Sequence, residues 1–301
     1  MKVLISGSSG LIGTALVRNL ESSGHSVTRL VRPGSSSAAE WVAWDPATGL
    51  LDARQLEGFD AAIHLSGENV ASGRWSAEQK SRIRDSRVKS TELLASALAG
   101  LDSPPKVFAS ASATGYYGDR GDELLAEDAA SGWDFLADVS VEWENATAPA
   151  SDAGIRVANM RISVVLTASG GMVATVGPIF RLGLGGRLGS GAQYLSWISR
   201  RDIVRAMEWI LEHDDLSGPV NLCSPNPVTN AEFTRTMGRL LRRPTLFPVP
   251  RFALRITQGE ITDMLLASVR ATPGKLSASG FEFHHPNLED ALRWALTDTE
   301  V

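Results

Sequence analysis

The chain has one cysteine among its 301 residues, Cys223. That scarcity excludes an intramolecular disulfide and any zinc site built on cysteine. Cys223 reads as a small buried residue within Val220-Asn221-Leu222-Cys223, and the lack of disulfides suits a reducing compartment, so a cytoplasmic protein is expected. No apolar run approaches the roughly 20 residues that cross a bilayer. The opening Met1-Lys2-Val3-Leu4-Ile5-Ser6-Gly7 reads as a strand and lacks the basic region, apolar region and cleavage site of a signal peptide. Positive charge is not in excess either: 29 Lys and Arg face 34 Asp and Glu, a net charge of −5. That balance offers no basic field to nucleic acid or to an anionic membrane, so neither is expected as a partner. No metal site is expected.

What is present is an alternation of short β-rich runs and helical patterns. Residues 3–6 read as a strand and 11–22 as a helix with Leu11, Ala15, Leu16 and Leu20 on one face. A strand at 26–31, a short one at 40–44 and an apolar one at 61–65 follow. A long helix over 76–98 opens on the N-cap-like Ser76 with Glu78 in its first turn. Then come a strand at 106–110, a helical segment at 133–149 and a β-rich run at 156–166. Strands alternating with helices imply a parallel, doubly wound α/β sheet. From Thr167 the texture changes: glycine is dense between Gly170 and Gly191, and mainly helical patterns follow, broken by prolines. The expected organisation is a dinucleotide-binding Rossmann domain over 1–166, to whose sheet 202–223 returns. Residues 167–301 would form a smaller, mostly helical substrate-side lobe.

The most informative segment is Gly7-Ser8-Ser9-Gly10-Leu11-Ile12-Gly13, directly after the first strand and opening a helix. Gly7 permits the tight turn, Gly10 lets the backbone approach a pyrophosphate, and Gly13 allows close packing of helix on sheet. The helix N-terminus presents unsatisfied N–H groups and partial positive charge to the anion. About 20 residues on, an acid would hold the ribose 2′-hydroxyl of NAD. Ser26-Val27-Thr28-Arg29-Leu30-Val31-Arg32 contains none. It ends in Arg32, whose guanidinium is matched to a 2′-phosphate, with Ser35 and Ser36 close behind. NADP(H) is therefore the expected cofactor. Leu65-Ser66-Gly67 would pass under the nicotinamide-side ribose, and Ser110-Ala111-Ser112 would lie beside the nicotinamide. Asp45 either accepts from the adenine amine or caps a turn in Trp44-Asp45-Pro46. His64, mid-strand, reads as a packed histidine.

Together these residues resemble the extended short-chain dehydrogenase/reductase superfamily. The resemblance narrows on Ser110-Ala111-Ser112-Ala113-Thr114-Gly115-Tyr116-Tyr117-Gly118, Gly170-Gly171, Gly185-Gly186, Ser196-Trp197-Ile198, Pro225-Asn226-Pro227-Val228-Thr229-Asn230 and Gly280-Phe281-Glu282-Phe283. These look like the atypical epimerase-family branch of putative sugar-nucleotide epimerases or cell-division-inhibitor-like proteins, whose C-terminal domain of unknown function is similar to residues 250–297. The resemblance implies NADP(H) binding, and a homodimer through the helices at 76–98 and 133–149 is the assembly to look for, although nothing local compels it.

One departure matters. The superfamily's usual proton relay is Tyr-x-x-x-Lys, in which the lysine helps the phenol release a proton near neutral pH. The only tyrosines here are Tyr116, Tyr117 and Tyr194, and four residues beyond them stand Arg120, Gly121 and Ile198. What remains is Ser112, which matches the superfamily's catalytic serine position, and Tyr116, which either donates a proton without a lysine or packs against the cofactor-side loop. Glu68, Arg161, Gln193 and Trp197 are candidates for the substrate side, with Trp197 alternatively a core anchor. Two readings follow: an NADP(H)-dependent oxidoreductase or epimerase on a small carbonyl or sugar-like substrate, or a non-catalytic NADP(H)-binding redox sensor or regulator.

Overall fold

The structure is a computed structural model in which residues 1–34 and 40–297 are described. Its centre is an eight-stranded sheet: β1 (Lys2–Ser6), β2 (Ser26–Val31), β3 (Trp41–Asp45), β4 (Leu50–Leu51), β5 (Ala61–His64), β6 (Val107–Ala113), β7 (Arg156–Ile162) and β8 (Gly218–Leu222). The spatial order is β8-β7-β6-β5-β1-β2-β3-β4. All pairings are parallel except the β3–β4 hairpin at one edge. Chain order reverses between β1 and β5, the switch point where doubly wound sheets open a crevice beyond the carboxyl ends of their strands.

The sheet buries both faces, and β1 shows how. Val3 and Ile5 face one core with Leu16 and Leu20 of α1 (Leu11–Ser22). Leu4, between them, faces the other core with Leu94 and Leu98 of α2 (Ala77–Ala99), as the period-2 alternation of a strand requires. Ser76 caps α2 by accepting from Gln79 N, as its sequence signature implied. The helical segment foreseen at 133–149 starts later. α3 (Phe135–Asn145) begins where Asp134 accepts from the Leu136 and Ala137 amides, and Thr147 separates it from a short helix at Ala148–Asp152. The β-rich run at 156–166 divides at Ser163. β7 stays in the sheet, whereas Val164–Leu166 pairs with Trp197–Ser199.

α4 (Arg200–Glu212) packs on the same face as α1. β8 then pairs along β7, so the chain does return to the sheet. A separate cluster of Leu166, Val173, Phe180, Trp197, Phe233, Met237 and Leu292 forms the core of the second, largely helical lobe. Among the described residues, no helix is long and apolar enough to cross a membrane.

Candidate functional site

The glycine-rich turn lies at the switch point and is built so that each glycine is needed for a different reason. Gly7 has φ +71°, and a Cβ there would lie 2.7 Å from Leu65 C and 2.9 Å from Ser66 N. A Cβ on Gly13 would lie 2.2 Å from Gly7 O and 2.8 Å from Ser8 Cα, so only glycine lets the first turn of α1 tuck beneath the loop. Gly10 differs: it is exposed, and a Cβ would meet only Gly7 O, at 3.3 Å. Its missing side chain leaves open space on the solvent side. α1 has no side-chain cap and no acid in its first turn, so the amides around Leu11 and Ile12 are left without a side-chain competitor for an anion. Ser8 and Ser9 complete the rim. The bare cradle fits a diphosphate.

On the far side of the switch point β2 ends at Val31. Arg32 is exposed and makes no ion pair among the described residues. Ser35 and Ser36 lie outside the described residues. Asp45 Oδ1 accepts from Ala47 N at 3.0 Å, the turn-capping role. Leu65 N bonds to both the carbonyl and the hydroxyl of Ser6, Ser66 is half-buried, and Gly67 is exposed above the Arg87 guanidinium. Burial depresses Arg87 to about 10, against the upward pull of Glu68. Ser110 and Ala111 are buried within β6, so they border the crevice through the sheet and present no free side chain to it.

Toward the carboxyl ends of β6 and β7 the structure holds a buried polar network. The Ser112 hydroxyl donates to Glu144 Oε1 at 2.7 Å. The Arg161 guanidinium grips the same carboxylate with two bonds, 2.8 and 2.9 Å. It also donates to the Tyr117 hydroxyl and to Glu127 O. Burial alone would lower the Arg161 pKa, but the Glu144 carboxylate carries it above its ordinary value. Tyr117 is fully buried and pushed up to about 12, chiefly by burial. Tyr116 is half-buried. Its ring lies flat beneath Arg161, whose Cζ is 3.5 Å from the ring centroid, and its hydroxyl has no partner among the described residues.

Several substrate-side expectations are corrected by this geometry. Arg161 is committed to Glu144 and Tyr117 in the interior, because a guanidinium removed from water needs its donors satisfied. Trp197 is a core anchor, wholly buried, with Nε1 donating to Asn226 O at 3.0 Å. Gln193 turns back to Leu188 O at 3.1 Å and braces its own loop. Glu68 is half-buried at the crevice, with its amide bonded to Ser86 and its carboxylate accepting from Ser72. Lys89, on the same helix as Arg87, pairs with Asp85 on the surface. His64 is packed as read: Ser6 and Ser90 hydroxyls satisfy its two nitrogens at 2.6 and 3.0 Å, and burial lowers its pKa to about 3.

Glu144 escaped the sequence reading. The usable signal was an acid on the helix where the superfamily carries tyrosine and lysine; α3, Phe-Leu-Ala-Asp-Val-Ser-Val-Glu-Trp-Glu-Asn, has neither. Two other features lie away from the crevice. A cavity of about 500 Å³, lined by none of the glycine-loop residues, sits in the second lobe beside the Arg239–Glu289 ion pair. His25, Glu208 and Glu212 bring ligand atoms within 4.8 Å of one another near the amino ends of the strands.

A reversed-order parallel sheet with an uncapped glycine cradle at its switch point defines a dinucleotide-binding protein of the short-chain dehydrogenase/reductase type. Residues 3–223 match the NAD dependent epimerase/dehydratase family, and the chain belongs to it. Residues 249–295 match a domain of unknown function, DUF1731. The chain is 46% identical over 296 residues to epimerase family protein Mb2239 of Mycobacterium bovis, covering 98% of this chain and 97% of that protein. Human epimerase family protein SDR39U1 (isoform 2), solved with NADPH, superposes with a TM-score of 0.90 at 32% identity, covering 99% of this chain and all of that one. A nucleoside-diphosphate sugar epimerase from Corynebacterium glutamicum superposes with a TM-score of 0.81 at 36% identity, and this chain spans 58% of that longer one.

Proposed function

We propose that the protein is an NADP(H)-dependent oxidoreductase or epimerase acting on a small carbonyl or sugar-like substrate. The observation that carries the cofactor choice is the end of β2. No carboxylate stands there to repel a 2′-phosphate, and the exposed Arg32 is free of ion pairs among the described residues. The NADPH named in the structure of human SDR39U1 supports the same choice. Gly7, Gly10 and Gly13 with the Leu11 and Ile12 amides would hold the diphosphate, and Leu65, Ser66 and Gly67 would border the ribose. The bound nicotinamide would supply or accept a hydride.

The chain's own part is the proton. Tyr116 carries a hydroxyl without a partner among the described residues, and the Arg161 guanidinium stacks on its ring. Glu144 holds Arg161 in that position, and Ser112 fixes Glu144 in turn. In this reading Tyr116 and Arg161 stand in for the missing tyrosine–lysine pair, while Ser112 positions the group. Titrating NADPH and NADH against wild type and Arg32→Glu tests the cofactor choice. A charge-assisted contact is worth about 1.5–3 kcal/mol, so the substitution should cost NADPH roughly ten- to a hundredfold and NADH little. An unchanged preference removes Arg32 from the argument.

A second reading has its own observation. The Ser112 hydroxyl is buried and donated to Glu144, which leaves it no proton to offer a substrate oxygen. That favours a non-catalytic NADP(H)-binding sensor or regulator. Steady-state oxidation of NADPH with any member of a carbonyl panel, lost in Tyr116→Phe, decides for the enzyme. Tight NADPH binding without turnover decides for the sensor.

A further inference from the structure

The net charge of −5 conceals a local reversal. Residues 178–187 and 242–258 contain six arginines, Arg181, Arg187, Arg242, Arg243, Arg251 and Arg255, and no Asp or Glu. The two segments lie side by side. Arg243 Nε donates to Arg181 O at 2.7 Å, Val249 N donates to Arg187 O at 2.8 Å, and Gly189 N donates back to Val249 O at 2.9 Å. A Cβ on Gly186 would collide with Phe247 O, so the backbones are in direct contact.

The same two segments carry most of the large apolar side chains left exposed among the described residues. Ile179, Leu182, Leu184, Leu246, Phe247, Phe252 and Ile256 are between 47% and 75% exposed. Their arrangement is regular. In the helix Arg251–Gln258, Leu254 is buried, Phe252 and Ile256 stand four residues apart facing outward, and Arg251 and Arg255 flank them. Asp263 accepts from both of these arginines, so one carboxylate is shared by two cations. Large apolar side chains gathered in the open in this number mark a contact surface.

We propose that this face docks the protein on an anionic phospholipid bilayer. Phe, Leu and Ile side chains ringed by arginine are what an interfacial surface presents: the apolar groups enter the headgroup–acyl boundary while guanidiniums meet lipid phosphates. Charge argues against a second copy of the chain as the occupant, because a twofold contact would set arginines against arginines. The docking would hold whether or not the cofactor reading does.

Sedimentation with vesicles tests it, using the full-length chain. Wild type should pellet with equimolar phosphatidylglycerol–phosphatidylcholine vesicles, less so as salt rises, and not with pure phosphatidylcholine. Each arginine near an anionic surface contributes about fivefold, so Arg242→Asn with Arg251→Gln should weaken partition about 25-fold. Asparagine is chosen because Arg242 ends its helix in the left-handed region at φ 54°. Phe252→Ser with Ile256→Ser should abolish pelleting, and thermal melts of both pairs report that the fold is kept. Failure of wild type to pellet with anionic vesicles, or equal pelleting by the variants, overturns the proposal. So does a lipid-free dimer in sedimentation velocity that the Phe252/Ile256 pair dissolves.

Discussion

Alanine at Gly10 and alanine at Gly13 should separate cofactor binding from folding. At Gly10 the backbone has φ −79° and ψ 175°, which alanine adopts freely, and the added methyl meets only Gly7 O at 3.3 Å. Loss of unfolded-state freedom offsets the weaker N-cap preference, so stability should stay within about 1 kcal/mol of wild type. The methyl does, however, occupy the open space through which, on the proposed reading, a diphosphate would approach the amides. NADPH affinity should fall tenfold or more, about 1.4 kcal/mol. At Gly13 the methyl would lie 2.2 Å from a carbonyl oxygen and 2.8 Å from Ser8 Cα, and neither backbone atom can swing aside. Overpacking of this kind costs about 1–3 kcal/mol, or roughly 2–4 °C of melting temperature for each kcal/mol, and binding should suffer as well. Differential scanning fluorimetry with calorimetric NADPH titration reads both quantities. A folded Gly10→Ala variant that binds NADPH like wild type would refute the placement of the diphosphate, whatever Gly13→Ala does.

Other expectations follow from the buried polar groups. His64 has a pKa of about 3 in the fold against about 6.5 in an unfolded chain. Between those values the unfolded chain binds the extra proton, so stability falls as pH drops through the window. From pH 7.5 to 5.5 that loss is about 1.4 kcal/mol. Urea melts of wild type and His64→Gln at both pH values should show a slope smaller by that amount in the variant; equal slopes contradict a neutral buried imidazole. Glu144→Ala strands a nearly inaccessible guanidinium and should cost about 3–5 kcal/mol. Glu144→Leu with Arg161→Met should recover most of it, and failure to recover would mean the pair does more than satisfy itself.

The sequence made the sheet legible because its strands and turns are locally specified. Val3, Leu4 and Ile5 are buried on both faces, the glycine spacing sits directly after them, and Ser76 announces α2 with its own hydroxyl. Boundaries moved only where a cap or a pairing partner decided: Asp134 delays α3, and Ser163 marks where the chain leaves one sheet for another pairing. In the candidate site the glycine turn was legible, because Gly7 and Gly13 have no room for a side chain and Gly10 stands open, while for Arg32 the structure adds only that it is exposed at the end of β2. The site was illegible where a side chain's role depends on a distant partner. Arg161 looks like a cleft residue until Glu144, 17 positions earlier, is seen holding it. Trp197 looks like a substrate platform until the second lobe's own core closes over it. Only tertiary contact distinguishes a cation awaiting a ligand from one already satisfied.

The pairing of β8 with β7 has a consequence for how this chain can be divided. Because Gly218–Leu222 seals the margin of the sheet along Ala158–Ile162, a fragment ending at Leu166 would keep every glycine of the cradle yet leave a naked row of amides and carbonyls. Such a truncation should come out as aggregate. Dissecting the protein into a nucleotide module and an appendage would therefore require carrying the later strand across, by circular permutation or by grafting it onto the shortened piece.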